Sequence, residues 1–144
     1  REMDRDDVAS VLSVMMPFIE QGILLPRTKE SLLQNYQNYI VYELDGAVRA
    51  CASLIPYPDG QMEIAGVAVE KQFSHLGIGP MMIKYLIEKS KRLSCKSLFL
   101  LTTQTRDWFE KMGFELSEIS TLPEERRKEW TESRASKVLR YKGN

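Results

Sequence analysis

One acidic side chain, one glycine pair and a few arginines carry most of the chemistry available to these 144 residues. Glu63 stands at the mouth of an apolar run, Ile64-Ala65-Gly66-Val67-Ala68-Val69, and Gly77-Ile78-Gly79 follows a polar loop. From Pro80 or Met81 the pattern becomes that of an apolar helix. Strand, glycine loop and helix N-terminus in that order make an anion site. The first-turn N–H groups lack partners inside the helix, and the dipole favours negative charge there. Glycine also lets a backbone approach a phosphate and adopt conformations that a Cβ forbids. Two glycines at this spacing serve an ordinary strand-to-helix turn equally well, so the spacing alone leaves both readings open. His75, the only histidine, sits in the glycine loop without partners at metal-ligand spacing, and no metal is expected.

Composition narrows the class. With 43% hydrophobic and 28% charged residues, the chain reads as one domain over residues 1–144 with a sizeable core. Twenty basic and twenty acidic residues balance, so neither nucleic acid nor an anionic membrane is an expected partner. No apolar run approaches the roughly 20 residues that a spanning helix needs. Cys51 and Cys95 fall in apolar or mixed segments and read as free thiols in a reducing compartment. Cytoplasm is the default location, with a plastid or mitochondrial stroma as the alternative if a transit segment has been removed. The chain opens on Arg1 rather than methionine, which fits a processed product or a piece of a longer protein.

The elements that must position these residues follow from periodicity. Arg1 to Met16 predicts an amphipathic helix capped at Asp4, with Val8, Val11, Leu12 and Met15 inward and Pro17 bending or ending it. Thr28 caps a second helix through about Gln37. Tyr39 to Leu44, Asp45-Gly46, then Ala47 to Ile55 is a hairpin pattern. A turn at Pro56 to Gly60 leads into the apolar strand before the glycine loop. After the helix from Pro80 to Lys91, Lys96 to Thr102 reads as a strand covered on both faces. A short helix from Thr105 to Met112 ends at Gly113, with Trp108 as core. Phe114 to Ile119 is another strand. Leu122 to Trp130 reads as a charged helix whose Arg126-Arg127-Lys128 face is solvated and whose Trp130 is docked, and Ser136 to Tyr141 closes the chain as a strand. Hairpin first and βαβ unit second predicts a mixed central sheet with helices on both faces, an α/β (α+β) domain.

That order of elements, with Val67-Ala68-Val69…Gly77-Ile78-Gly79 and with Trp108-Phe109-Glu110-Lys111-Met112-Gly113-Phe114, resembles the GNAT superfamily of acyl-CoA N-acyltransferases. Phe18 to Leu24, Glu63 to Val69, Leu100-Leu101-Thr102-Thr103, Leu122-Pro123, and Arg134 with Ser136 to Leu139 are similar to the acetyltransferase domain of N-acetylglutamate synthases, in order over nearly the whole chain. In that family the domain often follows an arginine-sensing, kinase-like domain, for which these 144 residues hold no counterpart.

The resemblance implies a GNAT fold and acetyl-CoA as cosubstrate. It places the cosubstrate on Val67, Ala68, Val69, His75, Leu76, Gly77, Ile78 and Gly79, and it makes L-glutamate the acceptor at the entry to arginine synthesis. It implies Glu63 as general base; from the residues alone, Glu63 reads as well as a surface residue at a strand start. Thr102 matches the hydroxyl that stabilises or protonates the departing thiolate, and is otherwise a β-branched strand residue. Arg27 and Arg134 match arginines that grip the substrate carboxylates, a task suited to a planar fork of donors, although an arginine taken by itself is usually a solvated charge. A homo-oligomer is compatible with this reading. Three departures matter: Ser74 replaces the superfamily's usual Arg or Gln, Pro80 has no N–H to offer a phosphate, and Phe109 replaces its usual tyrosine acid. The alternatives are a GNAT enzyme for another amino acid or small amine, and a module that holds acyl-CoA without turning it over.

Overall fold

The structure, a computed structural model, describes residues 1–102, 107–129 and 136–143, with residues 107, 108 and 129 described in their backbone alone. Arg134 and Trp130 lie outside the described residues, as does the side chain of Trp108. A capping box between Asp4 and Asp7 opens a 3-10 turn, which runs into helix α1 (Val8–Glu20) with Val8, Val11, Val14 and Met15 buried. Pro17 sits inside α1 instead of ending it. A proline removes only the bond from its own nitrogen to the carbonyl of Ser13, and here the chain accommodates that loss. Thr28 and Ser31 cap one another's backbone at the start of α2 (Lys29–Asn35).

Strands β1 (Tyr39–Leu44) and β2 (Ala47–Pro56) form the hairpin. Asp45 and Gly46 both take positive φ, as a tight two-residue turn requires. β3 (Gln61–Val69) leads through a 3-10 turn at Lys71–Leu76 into α3 (Ile78–Arg92) and then β4 (Ser97–Thr102). α3 starts two residues before Pro80 because Gly77, at φ 73°, supplies its N-cap. The chain continues with α4 (Asp107–Lys111), β5 (Phe114–Ser117), a 3-10 turn at Ile119–Thr121, α5 (Glu124–Glu129) and β6 (Lys137–Tyr141).

The strands make one mixed sheet in the order β1-β2-β3-β4-β6-β5, with β3 and β4 as its parallel pair. Ile40, Ala52, Leu54, Ile64, Leu98 and Leu100 meet α3 and α4 on one face. Val41, Cys51 and Ala68 meet α1 and α2 on the other, where Phe99, Leu122 and Val138 form a smaller cluster at the β6 end.

Two irregularities in β3 shape everything that follows. β3 pairs with β4 only from Gln61↔Ser97 to Ile64↔Leu100; beyond this β4 continues against β6 and the two strands part. Against β2, the register jumps from Ser53↔Ala65 to Cys51↔Ala68, so β3 carries one extra residue, a bulge at Gly66 with φ 62°. The bulge resets the alternation, which turns Val67 and Val69 towards α3 and Ala68 towards α1.

Only glycine holds that φ without strain, and a Cβ on Gly66 would also lie 3.0 Å from the Met15 methyl. Gly66→Ala is expected to lower stability by about 1–2 kcal/mol, measured by urea denaturation.

Candidate active site

Where β3 and β4 part, a cleft of about 1090 Å³ opens. Ala65, Gly66, Val67 and Val69 line it from β3, and Leu100, Leu101 and Thr102 from β4. Gln21, Ile23 and Leu24, just after or beside the end of α1, form one lip; Lys71, Gln72 and Ser74 form another. Gly77, Gly79 and Pro80 bring the N-terminus of α3 to its wall. The first helical bond there runs from Met81 N–H to Gly77 C=O at 3.2 Å, which leaves the N–H groups of Ile78 and Gly79 as the first-turn donors; Pro80 contributes none.

The expected cosubstrate residues therefore divide. Val67, Val69, Gly77 and Gly79 line the cleft. Ala68 and Ile78 are buried in the two cores, and His75 and Leu76 are exposed away from the cleft wall. Phe109 lines the cleft and packs edge-on against Phe114, so the position carries a ring without a hydroxyl.

Glu63 sits at the closed end of the parting, on the strand pair just before it opens, and is 3% exposed. A carboxylate this buried must be satisfied, and it is. The Tyr57 hydroxyl donates to Oε1 at 2.7 Å, and Arg126 Nε donates to Oε1 at 3.1 Å and to Oε2 at 3.3 Å. The Tyr57 ring is held in turn against Phe99, with centroids 6.0 Å apart. Two bonds fall on Oε1 and one on Oε2, so Oε2 keeps acceptor capacity for a water or an amine.

Strand alternation sends Glu63 and Thr102 to opposite faces of the sheet. Glu63 shares its face with its partner Phe99, whereas Thr102 follows Leu98 and Leu100 towards α3 and α4. Two reactants entering from opposite faces would meet in the gap between the strands.

Arg27, in the connector between α1 and α2, reaches the Glu63 face. A Cβ built on Gly66 would lie 3.7 Å from its Nη2 and 3.7 Å from Ser53 Oγ. Its Nη1 donates to the Leu25 carbonyl, and among the described residues no carboxylate pairs with it. The neighbouring Cys51 is no nucleophile: burial pushes its thiol up to about 12, so it stays protonated despite the nearby guanidinium.

Arg126 corrects the sequence reading, which placed it on a solvated face. Its side chain is 11% exposed and ion-paired with Glu63, while Arg127 and Lys128 are indeed exposed. The clue was spacing: Arg126 follows the buried Leu122 and Pro123 by about one helical turn and so shares their inward face. Tyr57, hidden in a Pro-rich turn, had no such signal.

The Acetyltransferase (GNAT) family model matches residues 6–114. The chain belongs to the GNAT family of acetyltransferases. Among its GNAT relatives, an amino-acid acetyltransferase of Actinobacillus pleuropneumoniae is 38% identical over 92% of this chain and 31% of its own length. Its counterpart in Aliivibrio fischeri is 35% identical over 99% of this chain and 32% of its own length. The chain thus spans about a third of the length of these relatives. The N-acetylglutamate synthase of Neisseria gonorrhoeae, crystallised with coenzyme A and N-acetyl-glutamate, superposes with a TM-score of 0.91 at 32% identity, covering 98% of this chain and 34% of that one. A Mycobacterium tuberculosis protein crystallised with CoA shares the fold, with a TM-score of 0.80 at 21% identity.

The Arg126 assignment makes a contrast that denaturation can read. Arg126→Ala strands the Glu63 charge and is expected to cost about 3 kcal/mol, whereas Arg127→Ala should stay within about 0.5 kcal/mol of wild type.

Proposed function

We propose that the chain is an N-acetyltransferase domain, spanning residues 1–144, that moves an acetyl group from acetyl-CoA to the α-amine of L-glutamate, the first step of arginine biosynthesis. The observation that carries the reading is the parted sheet with a buried carboxylate, Glu63, at its closed end and on the same face Arg27, which among the described residues has no carboxylate partner. Similarity to the N-acetylglutamate synthase of Neisseria gonorrhoeae supports the choice of acceptor.

The residues present fit acetyl-CoA. Beyond Ile64 the β4-facing edge of β3 has no strand partner among the described residues, so an extended chain of amides can lie along it as a strand would. Gly77 and Gly79 bring the start of α3 to the cleft wall, where the first-turn N–H groups of the helix suit a pyrophosphate. Pro80 makes that cradle one donor short, and Ser74, on the cleft wall, binds its hydroxyl to the Lys71 carbonyl at 2.8 Å.

Glutamate brings two carboxylates and an ammonium. Arg27 engages a carboxylate on the Glu63 face, and Arg134, outside the described residues, is proposed as the second grip. Glu63 takes a proton from the ammonium, directly or through one water, at Oε2, which carries the fewer hydrogen bonds. The neutral nitrogen attacks the thioester carbonyl carbon, and the tetrahedral intermediate collapses with cleavage of the C–S bond. The second proton leaves the nitrogen as the amide forms and passes to the departing thiolate, directly or through water, while Glu63 returns the first to solvent. Thr102 is proposed to hydrogen-bond the departing thiolate, an easier task for a weakly acidic hydroxyl than full proton transfer. A second reading, an acyl-CoA-holding module without turnover, rests on the ring of Phe109 where a hydroxyl could serve and on the proton-free nitrogen of Pro80.

Release of free CoA from acetyl-CoA across a panel of amino acids separates these readings. Glutamate-dependent release is expected; release with a different acceptor removes glutamate, and binding without release removes the enzyme. Glu63→Gln should leave acetyl-CoA affinity within about 2-fold and lower kcat by roughly 100-fold or more. Arg27→Ala should raise the glutamate KM by roughly 10-fold with little change for acetyl-CoA, and an equal rise for both would remove Arg27 from the acceptor site.

A further inference from the structure

Arg140, on β6, has no part in the chemistry above, yet it is buried in an unusual way. It is 7% exposed, and among the described residues its hydrogen bonds run to neutral acceptors. Nη1 donates to Gln61 Oε1 at 2.9 Å and to Ser97 Oγ at 2.6 Å. Nη2 donates to Thr121 Oγ1 at 2.8 Å and to the Thr121 carbonyl at 3.3 Å. The guanidinium lies over the Phe99 ring, and its Nε is buried with no hydrogen-bond partner among the described residues. The carboxylate that acts on it, Asp59, does so at a distance, from the far side of Gln61, and a buried guanidinium with no carboxylate in contact among the described residues is costly.

What it joins is informative. Gln61 starts β3, Ser97 starts β4, and Thr121 ends the 3-10 turn that precedes α5. Gln61 reinforces the knot by donating through Nε2 to the Thr121 carbonyl at 3.1 Å. Thr121 closes its own turn by donating to the Glu118 carbonyl at 2.6 Å. From that fixed point Leu122 and Pro123 enter the core, and Arg126 lands on Glu63, two residues along β3 from Gln61 and on the same face. α5 has six residues, far too few to hold its own conformation or position. Its place on the sheet must come from what anchors its start.

We propose that Arg140 is a positioning residue: by clasping Thr121 to Gln61 and Ser97 it sets α5 on the sheet and thereby fixes how Arg126 meets the Glu63 carboxylate. The kinetic part of the inference rests on the reading of Glu63 as the base.

Thr121→Val keeps the side-chain shape and removes the clasped hydroxyl, which avoids the risk that an Arg140→Ala chain fails to fold. In the wild-type background it is expected to lower kcat/KM for the amino-acid acceptor roughly 5–10-fold while leaving the acetyl-CoA KM unchanged. In an Arg126→Gln background the same substitution should cost less than about 2-fold, because the contact it acts through is already gone. Equal losses in the two backgrounds, or no loss in the first, would overturn the proposal. A readout without turnover stands beside it. The Arg126 Nε–H resonance, assigned by its disappearance in Arg126→Gln, should be protected from solvent exchange in the wild type and lose that protection in Thr121→Val; retained protection overturns the clasp. If the wild type transfers acetyl to no acceptor, the functional reading falls, and the resonance comparison by itself decides the clasp.

Discussion

A strand that leaves its neighbour partway exposes backbone donors and acceptors that must be satisfied by something else. β3 does so beyond Ile64, and the lining of the cleft follows from that parting. Both flanking strands stay rigid because each keeps a partner on its far side, β3 with β2 and β4 with β6. The gap is therefore held open by pairing and does not depend on a flexible loop. The bulge at Gly66 adds the second condition. By inserting one residue it shifts the alternation of β3, so the strand presents valines to the α3 side and lets Arg27 approach on the other.

The same region holds Glu63 and Arg140, two of the three buried charged side chains among the described residues; the third, Asp7, pairs with Arg1 just ahead of α1. Glu63 is nearly solvent-free, and it is matched by a phenol six residues upstream and by a guanidinium from a segment far away in sequence. Arg126 comes from a helix too short to place itself, and a second buried guanidinium holds the turn before that helix. The two arginines differ in kind. Arg126 pairs with a carboxylate at the parting, whereas Arg140 gathers neutral oxygens and ties three segments together. The two clusters adjoin across one ring, since both Tyr57 and Arg140 lie against Phe99.

Much of this architecture is legible in the amino-acid sequence, because it depends on local patterns. Caps at Asp4 and Thr28, the Asp-Gly hairpin turn, and the period change at Tyr39 are each written within a few residues. Boundaries proved softer: Pro17 lies within α1, and α3 begins at Ile78, since Gly77 caps the helix before the proline is reached. Of the candidate site residues, Glu63 and the glycine loop stand out by position and Thr102 by family resemblance; the structure sets Glu63 at the closed end of the parting and Thr102 on the cleft wall.

What the sequence by itself determined is the set of elements, their order and the glycine-bearing turn, all consequences of short-range sterics and apolar periodicity. Tertiary structure alone decided that β3 and β4 part after Ile64, that Glu63 and Thr102 face opposite sides of the sheet, and that Arg126 turns inward while Arg127 does not. Those outcomes depend on register between strands and on a turn anchored by a residue on another strand. A pairing register is a relation between distant segments, and no local pattern encodes it. The glycine loop that looked like the obvious centre is one wall of the cleft; beside the closed end of the parting lies a carboxylate whose surroundings only the folded chain assembles.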